Sequence, residues 1–141
     1  MKYIVLLSLS FLLILQACGQ EKKKEHSIDQ QLKACLDVEK NQTTAGMIEC
    51  TNRAQEQWDK ELNTNYSLLI GKLSADEKEK LKVAQRNWIA YRDNEIEFAR
   101  TMYINMQGTM WRVVLADRQM ELTKQRALDL KAYVDNMTAG E

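Results

Sequence analysis

"SADEKEKLKVAQRNWIAYRDNEIEFARTM", Ser74–Met102, is the stretch whose period sets the architecture. Ser74 is followed three residues later by Glu77, with further acid in the first turn. This is the form of a capping box, so a helix is expected from about Ala75. Downstream, Leu81, Ala84, Trp88, Tyr91, Glu95, Phe98 and Met102 alternate by three and four and so share one helical stripe. Only Glu95 is out of character, because an acid at a seam position needs a partner.

The segments on either side follow the same rule. Met47, Cys50, Ala54, Trp58, Leu62, Tyr66, Leu69 and Leu73 recur every three or four positions over Thr44–Leu73. Val113, Ala116, Met120, Thr123, Ala127, Leu130, Val134 and Met137 do so near the end of the chain. Near "NMQGTM" the pattern loses phase, and Gly108 marks a turn. The chain has 141 residues, five glycines and no proline, so little in it interrupts long helices. The expected fold is all-α: an antiparallel bundle of three long helices with near-heptad packing. A short N-terminal helix, about Asp29 to Lys40, lies across it.

The first residues read as an address. "MKYIVLLSLSFLLILQAC" carries Lys2 and then an apolar run from Ile4 to Leu15, too short to span a bilayer core as a helix and suited to the h-region of an export signal. It ends in Leu15-Gln16-Ala17-Cys18, which resembles the bacterial lipobox. Residues 1–17 are expected to be a lipoprotein signal peptide and Cys18 to carry the lipid, since two or more acyl chains anchor stably. Ordinary secretion with a coincidental cysteine is the alternative. Residues 18–27 then form a lipidated Cys and a charged, solvated tether, and 28–141 the helical domain. Gly19 after Cys18 follows the enteric sorting pattern for the outer membrane, facing the periplasm. In a Gram-positive host the same anchor would hold the chain on the outer face of the cell membrane.

Export places the remaining cysteines, Cys35 and Cys50, where disulfides persist. A bridge between them would close a loop of about 15 residues, worth ~3 kcal/mol in the chain-entropy model, and would staple the short helix to the next one. Two buried free thiols are the competing reading. A redox pair is disfavoured because the spacing is not Cys-X-X-Cys.

The residues exclude several classes of chemistry. The formal charge is balanced, with 20 basic and 20 acidic residues, whereas a nucleic-acid binder needs a basic excess. His26 is the one histidine and has no evident partner. No nucleophile–base pair, phosphate-cradling glycine loop or metal-ligand spacing is visible, so no catalytic residue, metal, cofactor or small-molecule substrate is expected. The methionines Met47, Met102, Met120 and Met137 lie on seams, where they read as core filler. Arg92, one turn after Trp88, can lie against its indole. Glu95, Thr123 and a guanidinium from Arg92 or Arg126 are expected to form a buried polar layer that sets register. The alternative, a catalytic Glu95, would need a second acid and an open cleft.

"WDKELNTNYSLL", "LKVAQRNWIAYRDNE", "GTM" and "LTKQRALDL" stand in that order, with Cys35-Leu36 and Met47…Cys50 before them. Together they resemble the LprI-like lysozyme-inhibitor domain of small exported bacterial proteins, over roughly Gln31 to Leu130. The resemblance implies an all-helical fold and a protein partner, with lysozyme as the candidate. Many members of that family carry a second half-cystine pair. Here Ile96 and the 118–120 region hold no cysteine, so helix pairing there must rest on packing.

Two functions from different classes follow. One is a lipid-anchored envelope binding protein that inhibits lysozyme. Its contacts would come from exposed groups at the bundle's ends: Thr43 and Thr44 in the disulfide loop, and Tyr103, Gln107 and Trp111 around the Gly108 turn. Trp111 falls off the seam phase; it is either a binding residue or a cap over the open end. From Ile28 onward 18 acids face 16 bases, so long-range steering toward a basic lysozyme is weak. The other function is a structural or assembly role in the envelope with no inhibition. An apolar strip of Ile89, Ile96 and Ile104 would serve it, unless that strip packs against the short Cys35 helix, as expected here.

Overall fold

The computed structural model describes residues 25–139, so the expected signal peptide, Cys18 and the first part of the expected tether lie outside the described residues. Four α-helices follow one another: α1 (Ser27–Leu36), α2 (Thr44–Lys72), α3 (Ala75–Ile104) and α4 (Met110–Ala139), with a 3-10 turn at Glu39–Asn41 and no strand among the described residues. α2 and α4 form the main seam, α1 packs on α2, and α3 lies on α4. The path is up-down-up, so α2 and α4 run the same way.

Local chemistry explains the boundaries. His26 caps α1, its Nδ1 accepting from the Ile28 N–H at 3.3 Å. The helix therefore begins one residue before the expected domain edge, and the histidine has a structural use that its sequence context hid. α1 ends at Leu36 rather than near Lys40. The Asn41 amide donates to the Cys35 carbonyl at 2.8 Å, taking an acceptor that another helical turn would use. The chain then folds back so that Cys35 and Cys50 are bridged, with Cα atoms 5.8 Å apart.

α2 starts at the Thr43 cap, whose hydroxyl accepts from the Gly46 N–H at 3.1 Å. α3 starts as the capping box requires: the Ser74 N–H and hydroxyl both donate to Glu77 Oε2, at 2.8 and 2.6 Å. Those two bonds hold the Glu77 carboxyl below its ordinary pKa. The α3–α4 turn passes through Gly108 at φ 96°, a left-handed conformation that favours glycine.

Gly46 is required for a different reason. A Cβ there would lie 2.6 Å from the Asn41 backbone, because the first turn of α2 rests on the 3-10 turn. Gly46→Ala is expected to destabilise by about 1–3 kcal/mol in urea unfolding, since overpacking outweighs the roughly 1 kcal/mol gain in helix propensity.

The core is Ile28 from α1, Ala54, Trp58, Leu62 and Leu69 from α2, and Met120, Ala127 and Leu130 from α4. Trp58 lies at its centre, fully buried. Asn65 is also buried; its Nδ2 donates to the Ala127 carbonyl at 3.2 Å and to Glu61 Oε1 at 3.3 Å. This amide crosses from α2 to α4, and buried polar contacts of this kind can specify register. Asn65 is therefore the buried polar side chain that bonds across the main seam, and the apolar stripes did not single it out.

α3 departs from the expected stripe by one residue. Leu81, Trp88 and Glu95 are half-buried, as expected. Between and beyond them the inward residues are Gln85, Arg92, Ala99 and Tyr103, while Ala84, Tyr91, Phe98 and Met102 are exposed. Phe98 keeps 62% of its surface. Both phases satisfy a three-four spacing, and polar partners on α4 select the second. Arg126 Nε donates to Gln85 Oε1 at 3.0 Å, and Arg118 reaches Glu95 at 2.6 Å. Buried Ala99 lets the helices approach closely.

Candidate functional site

The two segments expected to meet a partner come together at one end of the bundle. The hydroxyls of Thr44 and Thr109, 65 residues apart in sequence, lie 2.9 Å from each other. They join the start of α2, which lies within the disulfide loop, to the α3–α4 turn. Within the turn, Trp111 lies nearly flat on Tyr103, with ring centroids 5.5 Å apart and planes 13° from parallel. Its indole N–H donates to the Gln107 carbonyl at 3.0 Å. Trp111 therefore closes the turn and is half-buried in doing so.

Beside this stack runs a cleft of about 420 Å³ lined by Arg100, Tyr103, Ile104, Met106, Trp111 and Arg112, among others. Ile104 is 78% exposed at its rim, and Met106 and Met110 are exposed nearby. Of the candidate contacts, Tyr103 and Trp111 line the cleft. Gln107 is exposed and lends its carbonyl to the turn. The hydroxyls of Thr43 and Thr44 are taken by the α2 cap and by Thr109. Arg100, Met106 and Arg112 belong to the cleft and were not singled out from the sequence. The signal was present: from Phe98 to Ala116 the chain carries two arginines and no acid.

The expected polar layer does not assemble. Glu95 pairs with Arg118 of α4, not with Thr123, Arg92 or Arg126. Thr123 is buried, but its hydroxyl donates to the Gln119 carbonyl one turn back in its own helix, at 3.2 Å. Arg126 is held by Gln85. Arg92 lies over Trp88, 5.1 Å from the ring centroid, and reaches Asp93 at 2.8 Å. The one-residue rotation of α3 separates these groups, since each finds a nearer partner. The Glu95–Arg118 pair and the Arg126–Gln85 bond tie α3 to α4, so that pairing does not rest on apolar packing alone.

Both side chains of the Glu95–Arg118 pair retain solvent contact, so Glu95→Ala should cost no more than about 1 kcal/mol. Thr123→Val removes a hydroxyl bonded only within its helix and should change stability by less than about 1 kcal/mol. Thermal unfolding of the two variants checks both values.

The Ile89–Ile96–Ile104 strip is not covered by α1, which packs on α2 instead. Ile89 and Ile104 are exposed and Ile96 is half-buried. No group of three or more His, Cys, Asp or Glu side chains that could hold a metal occurs among the described residues. No helix among them is long and apolar enough to cross a membrane.

Known proteins match this architecture. A solved structure of an uncharacterized protein from Burkholderia thailandensis superposes with a TM-score of 0.73 at 32% identity, covering 79% of this chain and 54% of that one. The chain thus spans about half the length of that protein. An uncharacterized protein of Rhizobium meliloti is 30% identical over 100 residues, which is 62% of this chain and 70% of that protein. The profile of the family described as "Lysozyme inhibitor LprI" matches residues 35–130. That match takes in the disulfide, the cleft and the main seam, and the chain belongs to the LprI lysozyme inhibitor family.

Proposed function

We propose that this protein is a lipid-anchored envelope protein that binds and inhibits a lysozyme through the end of the bundle formed by the α3–α4 turn and the start of α2. The observation that carries the reading is a cleft at the α3–α4 turn with a stacked Tyr103–Trp111 pair and exposed apolar residues at its rim, at the end where Thr44 ties the start of α2 to that turn through Thr109. Aromatic and arginine side chains at the centre of an apolar patch are the usual anchors of a protein interface. Family membership supplies the class of partner. The described chain enters beside Trp58, where the His26 ring lies 4.4 Å from the indole, and Thr44 is fourteen residues away along α2, roughly 20 Å of helix.

Anchoring rests on the apolar run ending at Cys18. Cys18→Ser is expected to release the protein from the membrane fraction, with fractionation and mass spectrometry of the N-terminus as the check. Inhibition is tested by titrating residues 19–141 against lysozymes of several types in a cell-wall lysis assay. Inhibition of at least one type at micromolar concentration is the expected result, and inhibition of none contradicts the reading.

A second reading, an assembly role without inhibition, is favoured by the exposed row Ala84, Tyr91, Phe98 and Met102 on α3, since exposed apolar surface of this kind marks interaction sites. Recovery of one stoichiometric envelope protein on the full chain, lost in Tyr91→Ser/Phe98→Ser, would support it.

A further inference from the structure

We propose that Arg112 and Arg100 form an anion seat in the α3–α4 cleft that engages the catalytic carboxylates of the lysozyme. This rests on the inhibitory reading above and names the chemistry by which it would act. The cleft lining contains two arginines and no acid, in a chain whose charges otherwise balance. Arg112 is exposed and has no carboxylate partner among the described residues. Arg100 reaches only Glu97, at 3.6 Å, with both side chains more than half exposed. A pair of that kind is weak and readily exchanged. The acids of the neighbouring loop, Asp37 and Glu39, do not line the cleft. Two like charges on one small concavity repel each other, and an incoming anion relieves that repulsion.

The complementary feature on the partner is dictated by its chemistry. Glycosidases that use two carboxylates hold them about 5–9.5 Å apart across an open cleft. In lysozyme one sits in an apolar pocket and the other stays ionised. A guanidinium can meet such a carboxylate through two parallel hydrogen bonds. Met106, Ile104 and the flat Trp111–Tyr103 pair would supply apolar area around the charged contact and exclude water from it, which strengthens it. Local charge is what the chain has available: with 18 acids against 16 bases from Ile28 onward, its net charge gives little attraction at long range.

The test uses a lysozyme that the wild-type chain inhibits. Arg112→Gln and Arg100→Gln should each weaken binding about 10–100-fold, the scale of losing a desolvated charge pair. Melting temperature should not change, because both side chains lie on the surface. Arg86→Gln, also on α3 but outside the cleft, should leave affinity unchanged. A chito-oligosaccharide filling the lysozyme cleft should compete with the chain, and a lysozyme whose catalytic acids are converted to amides should bind at least about tenfold more weakly.

Full affinity in the double Arg100/Arg112 variant, or binding that persists with the saccharide in place, overturns the anion seat and leaves inhibition standing. Arginine-dependent binding to peptidoglycan fragments or to anionic vesicles, without dependence on the lysozyme's acids, overturns the carboxylate assignment. If the wild-type chain inhibits no lysozyme, the functional reading and the seat fall together.

Discussion

Trp58→Ala is expected to lower stability by about 3–5 kcal/mol, the range for deleting a buried aromatic, and to reduce the melting temperature by about 10–20 °C. Trp58 is fully buried at the centre of the core. It stands where three elements meet: the cap of α1 through His26, the middle of α2, and α4 through Lys124, whose ammonium lies 5.7 Å from the ring centroid. Its indole N–H has no acceptor among the described residues. An unmet buried donor already carries a cost of about 1–3 kcal/mol. Trp58→Phe removes that donor while keeping most of the ring, so it should cost far less than the alanine variant. Equal losses in the two variants would show that the indole N–H carries no such cost.

The same junction holds Lys124 against Asp29 at 2.9 Å, with both side chains about one-fifth exposed. Burial pulls the ammonium's pKa down, but the bond to Asp29 and the field of Glu121 outweigh it and leave the pKa above its ordinary value. A raised pKa of this kind adds stability that is complete below the unfolded-state value and is lost as pH rises through the folded one. Lys124→Met should therefore flatten the stability profile only in the alkaline range.

Breaking the Cys35–Cys50 bridge is the second large effect. A loop of 15 residues corresponds to ~3 kcal/mol of chain entropy removed from the unfolded state. Cys35→Ser/Cys50→Ser, or reduction, should therefore lower the melting temperature by about 10 °C. Loss should begin locally. α1 has ten residues, too few to persist as an isolated helix, and Ile28 and Leu32 are its contacts with the core. Amide exchange in α1 should rise first, while the α2–α4 seam keeps its protection. A reduced protein that melts as the oxidised one does would mean that packing alone holds α1.

The elements set by local chemistry were legible in the sequence. The Ser74–Glu77 box, the Gly108 turn and the α2 and α4 stripes each depend on residues within a turn or two of one another, and each stands where its spacing placed it. The face of α3 was not legible in that way. A stripe through Ala84, Tyr91, Phe98 and Met102 and one through Gln85, Arg92, Ala99 and Tyr103 share Leu81, Trp88 and Glu95, so spacing allows both. Aromatic bulk argued for the first. The second is selected by Arg118 and Arg126, 23 and 41 residues away from the groups they bind.

The candidate site shows the same division. Tyr103, Gln107 and Trp111 were readable as turn residues, whereas Arg100 and Arg112 were missed although the acid-free window from Phe98 to Ala116 holds both. The bond from Thr44 to Thr109, which brings two loops to one end, is a product of the up-down-up path and leaves no local signature.

Hydrogen–deuterium exchange of the full chain, free and saturated with a lysozyme it inhibits, tests the placement of the site most directly. The account predicts new protection at residues 100–112 and around Thr43 and Thr44, with the outer face of α3 from Ala84 to Phe98 unchanged. Protection confined to that outer face, with the α3–α4 turn exchanging as freely as before, would contradict it.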